Sequence, residues 1–348
     1  MEEAMKGPDI GSINDIAIRK LDPPHDLRIV IAGREGAMIV DRNGLEKSQV
    51  RYDFETEQIK LGSFRTTKTY RIIGDIQIVD IDADGGYEYL ARGSFDGAAL
   101  FDQQGRRLWS YRKSDKERVS LQNVTVGDLR GDGQAEFIVS SNGIEAFDRY
   151  GKQLWRHPAE YGPTQIEVVD TDGSGRKKIV SIGGEVEIRD EQGNEIKSID
   201  NPAGLFRKFA LCAMPNKKVP TILAVHNGYL WLIDFDGNAL AKFDAPLSEF
   251  PNVVEKTAYG EFGTIAYKAK GVWVKLLKDQ PEYLAAIAEF AALDRSVLYV
   301  YTPSGKLVYQ EVLPEECASI AVLPPENETG SQEFLVGGSG TVWRYRAK

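Results

Sequence analysis

The stretch "DIDADGGYE" sets Asp80, Asp82, Asp84, Gly85 and Glu88 in a D-x-D-x-D-G-x-x-E frame. Alternate carboxylates in a tight loop converge on one point, the glycine permits the sharp turn, and oxygen-only ligands suit a hard cation. Calcium is the expected ion. The competing reading is a solvated acidic turn, which must hold its carboxylates together without a neutralising charge.

The same frame recurs in decayed form. In "DLRGDGQAE" Asp128, Asp132, Gly133 and Glu136 keep their places, but Arg130 takes the third. A guanidinium cannot ligate a metal, and it can neutralise the carboxylates itself. In "DTDGSGRKK" Asp170, Asp172 and Ser174 remain while Lys178 replaces the final acid, leaving an incomplete second metal site. "PENETGSQE" keeps Asn327, Gly330 and Glu333, and "VKLLKDQPE" keeps only Glu282.

These loops need elements to carry them, and a second repeat supplies the outline. "FDQQGRRLWSY" from Phe101 is echoed by "FDRYGKQLWRH" from Phe147. The turn inside it, Asp-x-x-Gly, appears at Asp41/Gly44, Asp102/Gly105, Asp148/Gly151, Asp190/Gly193 and Asp234/Gly237, with a Thr302/Gly305 variant. Aspartate at the first turn position accepts a hydrogen bond from its own turn, and glycine at the fourth tolerates the left-handed conformation. Each is therefore a hairpin. The intervals of 61, 46, 42, 44 and 68 residues give a unit of forty-odd residues with two longer members, the period of a four-stranded propeller blade.

In one clear unit the strands are expected at Ile76 to Ile81, Tyr87 to Arg92, Ala98 to Phe101 and Arg107 to Tyr111, with Gly and Asp clusters between them. Short, evenly spaced strands mark an antiparallel all-β array. The expected fold is one domain over residues 1–348, a seven-bladed β-propeller with blade starts near Asp15, Gln77, Asn123, Gln165, Lys208, Lys270 and Ala318. The last unit stops at "GTVWRYRAK" one strand short. Residues before Asp15 are expected to supply that strand and close the ring, because an open seam leaves unpaired edges. "YLAAIAEFAAL" is alanine-rich enough to read as helix by propensity, but "EYLA" at Glu282 repeats "EYLA" at Glu88 and assigns it to a second strand. Leu108, Trp109, Leu154 and Trp155 are expected in blade-to-blade packing rather than on a ligand platform.

Lys and Arg number 43 against 52 Asp and Glu, a net charge of −9 with no basic block. Counterion release on a nucleic acid has no source here. No run approaches the roughly 18 apolar residues of a membrane span, and "MEEAMKGPDIG" lacks the layout of a signal peptide. Cys212 and Cys317 have no metal or disulfide spacing and read as buried thiols. His25, His157 and His226 are scattered, and no zinc-hydrolase, serine-triad or phosphate-loop motif occurs.

The Asp80 to Glu88 loop and its copies resemble the FG-GAP/VCBS repeat family, the calcium-loop blades of integrin α-subunit propellers and many bacterial surface proteins. The third-strand turn followed by G-x-x-L-W resembles the repeats of quinoprotein-type propellers, including their non-catalytic assembly scaffolds. The resemblance implies a seven-bladed propeller, calcium as a structural ion, and an extracellular, cell-surface or periplasmic address, which presumes a signal peptide outside this sequence.

The leading functional expectation is a monomeric, non-catalytic scaffold that presents a rim or channel mouth to a protein or glycan partner. Irregular segments at "SFDG", "NKKVP" and Pro246 to Gly271 would display contacts, with Phe95, Phe250 and Phe262 as aromatic candidates. The alternative is a propeller enzyme, a polysaccharide lyase or hydrolase using paired acids or a quinone-dependent dehydrogenase. A dehydrogenase needs a stacking tryptophan among polar ligands, and Trp231, Trp273 and Trp343 stand without such a cluster.

Overall fold

The computed structural model describes the chain except residues 1, 7–9, 21–26, 55, 62–63, 70–71, 94–96, 113–120, 161, 183–184, 200–208, 216, 227, 246–265, 291–292, 294, 326–329 and 348. Its described elements are strands and turns, arranged as seven four-stranded antiparallel sheets and one two-stranded hairpin. After β1 (Glu2–Lys6), the first sheet is β2 (Ile13–Lys20), β3 (Leu27–Gly33), β4 (Gly36–Asp41) and β5 (Glu46–Arg51). The hairpin β6 (Thr56–Leu61) and β7 (Phe64–Thr69) accounts for the first long interval. The second sheet is β8 (Ile72–Val79), β9 (Glu88–Gly93), β10 (Gly97–Phe101) and β11 (Arg107–Arg112). The third is β12 (Asn123–Gly127), β13 (Glu136–Ser141), β14 (Gly143–Phe147) and β15 (Gln153–Pro158).

The fourth sheet is β16 (Gln165–Asp170), β17 (Lys177–Ile182), β18 (Val186–Arg189) and β19 (Glu195–Ile199). The fifth is β20 (Phe209–Cys212), β21 (Thr221–His226), β22 (Tyr229–Ile233) and β23 (Ala239–Asp244). The sixth is β24 (Ala266–Val274), β25 (Tyr283–Phe290), β26 (Arg295–Tyr301) and β27 (Leu307–Val312). The last is β28 (Cys317–Leu323), β29 (Glu333–Gly338) and β30 (Thr341–Tyr345), with β1 as its fourth strand, Met5 opposite Val342 and Lys6 opposite Thr341. The starts expected at Asp15, Gln77, Asn123, Gln165, Lys270 and Ala318 fall in the first strands of their sheets, and Lys208 lies outside the described residues. Tyr283–Phe290 of the alanine-rich run form β25, an interior strand paired with β24 and β26 whose burial outweighs helix propensity.

Residues Gly7–Val168 form one compact unit, and Met1–Lys6 with Val169–Lys348 form another, the boundary falling within β16. Within a sheet, position sets pattern. The interior strand β13, EFIVSS, is buried at every residue, with Phe137, Ile138 and Val139 at its centre, whereas the edge strand β11 alternates half-buried and exposed. The cores lie between consecutive sheets: Val30, Ala32 and Ala37 of the first pack with Ile76, Tyr89 and Phe101 of the second.

All six repeated turns join third strands to fourth. Gly44, Gly105, Gly151, Gly193, Gly237 and Gly305 each donate an N–H to the carbonyl of the turn's first residue and hold φ between +79° and +89°. Asp41 Oδ1 accepts the N–H groups of Asn43 and Leu45 at 2.9 and 3.0 Å, and Asp102 does the same for Gln104 and Arg106 at 2.9 and 2.8 Å. A register shift follows each turn, the one-residue bulge that such a turn imposes on a hairpin.

Candidate cation site

The loop between β8 and β9 folds around its own acids. Asp80 Oδ2 accepts the Gly85 N–H at 3.1 Å, and Glu88 Oε2 reaches back to the Ile81 N–H at 3.2 Å. Carboxylate oxygens of Asp80, Asp82 and Glu88 lie within 4.8 Å of one another. Asp84 stands outside that group, its Oδ1 accepting the Gly86 N–H at 2.6 Å. Asp80 Oδ1 is closed off from solvent and accepts no hydrogen bond among the described residues. Glu88 is 9% exposed. Burial raises its pKa to about 7 against the pull of the Ile81 N–H, and the charges of Asp82, Asp84 and Asp80 add to the rise.

Two sibling loops in the same chain show what those oxygens otherwise hold. In the loop between β12 and β13, Asp128 accepts the N–H groups of Gly131, Asp132 and Gly133, and Glu136 Oε2 accepts the Leu129 N–H at 2.9 Å, as Glu88 does for Ile81. Glu136 Oε1 then takes Arg130 Nε at 2.6 Å, and the guanidinium also stands 3.4 Å from Asp132 Oδ2. The bond to Glu136 holds Arg130 firmly charged. In the loop between β16 and β17, Lys178 Nζ pairs with Asp172 Oδ2 and depresses the Asp172 pKa, while Ser174 Oγ accepts the Arg176 N–H. The lysine therefore supplies the positive charge among the residues of the incomplete second site. Glu333 is paired with Arg344 at 2.7 Å, and Asn327 lies outside the described residues.

Glycine carries the left-handed fourth position of the two sibling loops, Gly131 at φ +70° and Gly173 at φ +78°. Ala83 occupies it in the acidic loop at φ +58°, the one positive-φ residue other than glycine among those described.

Elsewhere the expectations divide. Trp109 stacks on Phe137 of the next sheet, with ring centroids 4.4 Å apart and planes 5° apart. Leu108 and Leu154, placed in that packing by sequence, are 53% and 39% exposed. On an edge strand alternate residues face opposite ways, so a tryptophan turned inward sends its neighbour out. Trp343 is buried, while Trp231 and Trp273 are half-buried against apolar clusters. Cys212 and Cys317 are free and buried; burial pushes the Cys212 thiol up to about 12 and raises that of Cys317. Phe95, Phe250, Phe262 and His25 lie outside the described residues.

Sequence reasoning passed over Tyr150, which is 74% exposed in the turn between β14 and β15. Arg149 lies 4.8 Å from its ring centroid and donates to its hydroxyl at 2.6 Å. The signal was its place at the third position of an Asp-x-x-Gly turn, whose side chain points away from the sheet.

No protein-family profile matches the chain, and no curated protein matches its sequence. Solved structures do match its fold. BBS1N, from a crystal of its complex with ARL6DN soaked with mercury, aligns over 96% of this chain and 91% of its own at a TM-score of 0.55 and 10% identity. The Pan2 WD40 domain of Neurospora crassa aligns over 97% and 90% at a TM-score of 0.50 and 13% identity. With seven four-stranded sheets and these neighbours, the chain has the fold of a seven-bladed β-propeller.

Proposed function

We propose that the protein is a non-catalytic scaffold whose propeller presents a protein-binding face, with calcium as the structural ion of the Asp80 to Glu88 loop. What supports the scaffold reading is the full-length likeness to BBS1N, a propeller recorded in complex with another protein. What supports the ion is the contrast among the loops: the sibling loops carry Arg130 or Lys178 against their carboxylates, and the Asp80 loop brings three acids together with an orphaned, buried oxygen. Hard oxygen donors of this kind suit calcium, and an ion there would neutralise Glu88 and satisfy Asp80 Oδ1. An extracytoplasmic address fits the loop, because extracellular calcium modules have dissociation constants of roughly 0.1–1 mM.

Thermal melting in calcium and in chelator tests the ion. A calcium-dependent rise that disappears in Asp82→Ala supports it, about 2.7 kcal/mol at a hundredfold excess over the dissociation constant. Equal melting points for the parent in both conditions refute it. Capture of a purified protein partner at one-to-one stoichiometry tests the scaffold. Capture of a glycan in its place, or turnover of a polysaccharide or quinone-linked substrate, overturns that reading.

A further inference from the structure

Resting on the scaffold reading, we infer that the outer edge of β7, in the hairpin β6–β7, is where the protein partner attaches, by adding an extended acidic segment as a third strand. The hairpin is inserted between the first and second sheets, and among the described elements its two strands pair only with each other. Neither strand packs extensively against another described element. Two strands alone are marginal in water, and a third is what such a ribbon lacks.

The backbone of β7 is suited to that addition. Antiparallel pairing engages alternate residues of β7 with β6 and directs the N–H and C=O groups of the others away from it, an open template for one more strand. Its sequence, FRTTKT, has three threonines and an aromatic residue, types that favour strands, and no proline or glycine to interrupt a ladder.

Charge selects the occupant. The register sets Glu57 opposite Lys68 but Lys60 opposite Arg65, and Arg65 is exposed. Like charges on one rung weaken a hairpin, and an anion beside them offsets the loss. Over residues 56–69 three cations, Lys60, Arg65 and Lys68, stand against the single acid Glu57, a local charge of 3 − 1 = +2 in a chain of net −9. A second copy would bring the same cations to the edge, the device by which edge strands avoid pairing with themselves, whereas an acidic strand is attracted. Main-chain bonds then give adhesion, and two cross-strand ion pairs three residues apart on β7 give specificity.

The probe is a fluorescein-labelled peptide of threonine with glutamate at every third position, the spacing of Arg65 and Lys68, followed by anisotropy and by amide hydrogen exchange. The parent binds it, and exchange slows at alternate residues of β7. Arg65→Glu with Lys68→Glu weakens binding at least about fivefold. Lys217→Glu with Lys218→Glu makes the same charge change at exposed positions of the other unit and alters binding less than about twofold. A peptide with proline for each threonine keeps the charge but cannot form a ladder, and it binds at least about fivefold more weakly than the threonine peptide. Equal effects of the two double variants, equal binding of the two peptides, or binding without slowed exchange in β7 overturns the proposal. Sedimentation with phosphatidylserine vesicles by a parent that ignores the peptide, lost in Arg65→Glu with Lys68→Glu, gives the edge to a membrane surface and also overturns it. Peptide binding by a chain that turns over a polysaccharide removes the scaffold reading and leaves the docking edge standing. One-to-one capture of a purified protein by a chain that ignores the peptide does the reverse.

Discussion

Asp15 and Ile78 stand on the first strands of consecutive sheets, and Asp15 Oδ2 accepts the Ile78 N–H at 2.9 Å while its Oδ1 accepts the Ile16 N–H at 3.0 Å. The relationship repeats in register: Gln77 Nε2 donates to the Val124 carbonyl, and Asn123 Oδ1 accepts the Ile166 N–H, both at 3.3 Å. In each of the first three sheets one polar side chain thus bonds a backbone group of the next. Asp15→Ala leaves the Ile78 N–H without its acceptor and is expected to cost about 1–3 kcal/mol in urea unfolding, with Asp15→Asn recovering part of the loss. An unchanged midpoint for the alanine variant removes the bond from any account of stability.

Glu88 makes the calcium-free protein sensitive to pH near neutrality. Its folded pKa of about 7 lies above the ordinary value of 4.5, so the folded state binds the proton more tightly than the unfolded one. In chelator, stability therefore rises as pH falls from above 7 towards 4.5, and Glu88→Gln flattens that slope. With calcium bound as proposed, the ionised carboxylate would be the ligand and the slope is expected to reverse. Melting curves from about pH 5 to about pH 8 in both conditions check the sign.

Ala83 at φ +58° bears a strain that Gly131 and Gly173 escape. Ala83→Gly is expected to raise stability by up to about 1 kcal/mol, after the extra chain entropy of glycine is set against the relief. Gly131→Ala is expected to lower it by a similar amount, since a Cβ there meets nothing within 4 Å and only the backbone objects. Identical unfolding midpoints for parent and both variants would dismiss the strain.

Trp109 and Gly151 form a second coupled pair. Gly151→Ala places a Cβ against the indole and also forces φ +85° on an L residue, so a loss exceeding about 1 kcal/mol is expected. Trp109→Ala loses the Phe137 stack and is expected to cost about 3 kcal/mol. In the double variant the two losses fall short of additive, because the clash leaves with the ring. Strict additivity contradicts the contact.

What could be read without coordinates was local. The Asp-x-x-Gly turns are set by four adjacent residues, and Arg130 and Lys178 announced their roles by sitting at ligand positions with the wrong charge. Leu108 and Leu154 were misplaced because the repeat shows that a position recurs but not which face of an edge strand it occupies. The Asp15 to Ile78 bond spans sixty-three residues, and no periodicity distinguishes such an acceptor from any other strand aspartate. Tyr150 was hidden by the tolerance of its turn position, where almost any side chain fits.

Cys212 and Cys317 both belong to the unit that begins at Val169, and both are shielded, at 0% and 1% exposure. Alkylation of the native chain must wait for those sheets to open, since a buried, protonated thiol neither meets nor attacks the reagent. The rate of thiol modification is thus an intrinsic clock for the fifth and seventh sheets, blind to the first three. Followed in parallel with the fluorescence of a variant whose Trp231, Trp273 and Trp343 are replaced by Phe, which leaves Trp109 and Trp155 as reporters, it would separate the unfolding of one unit from that of the other.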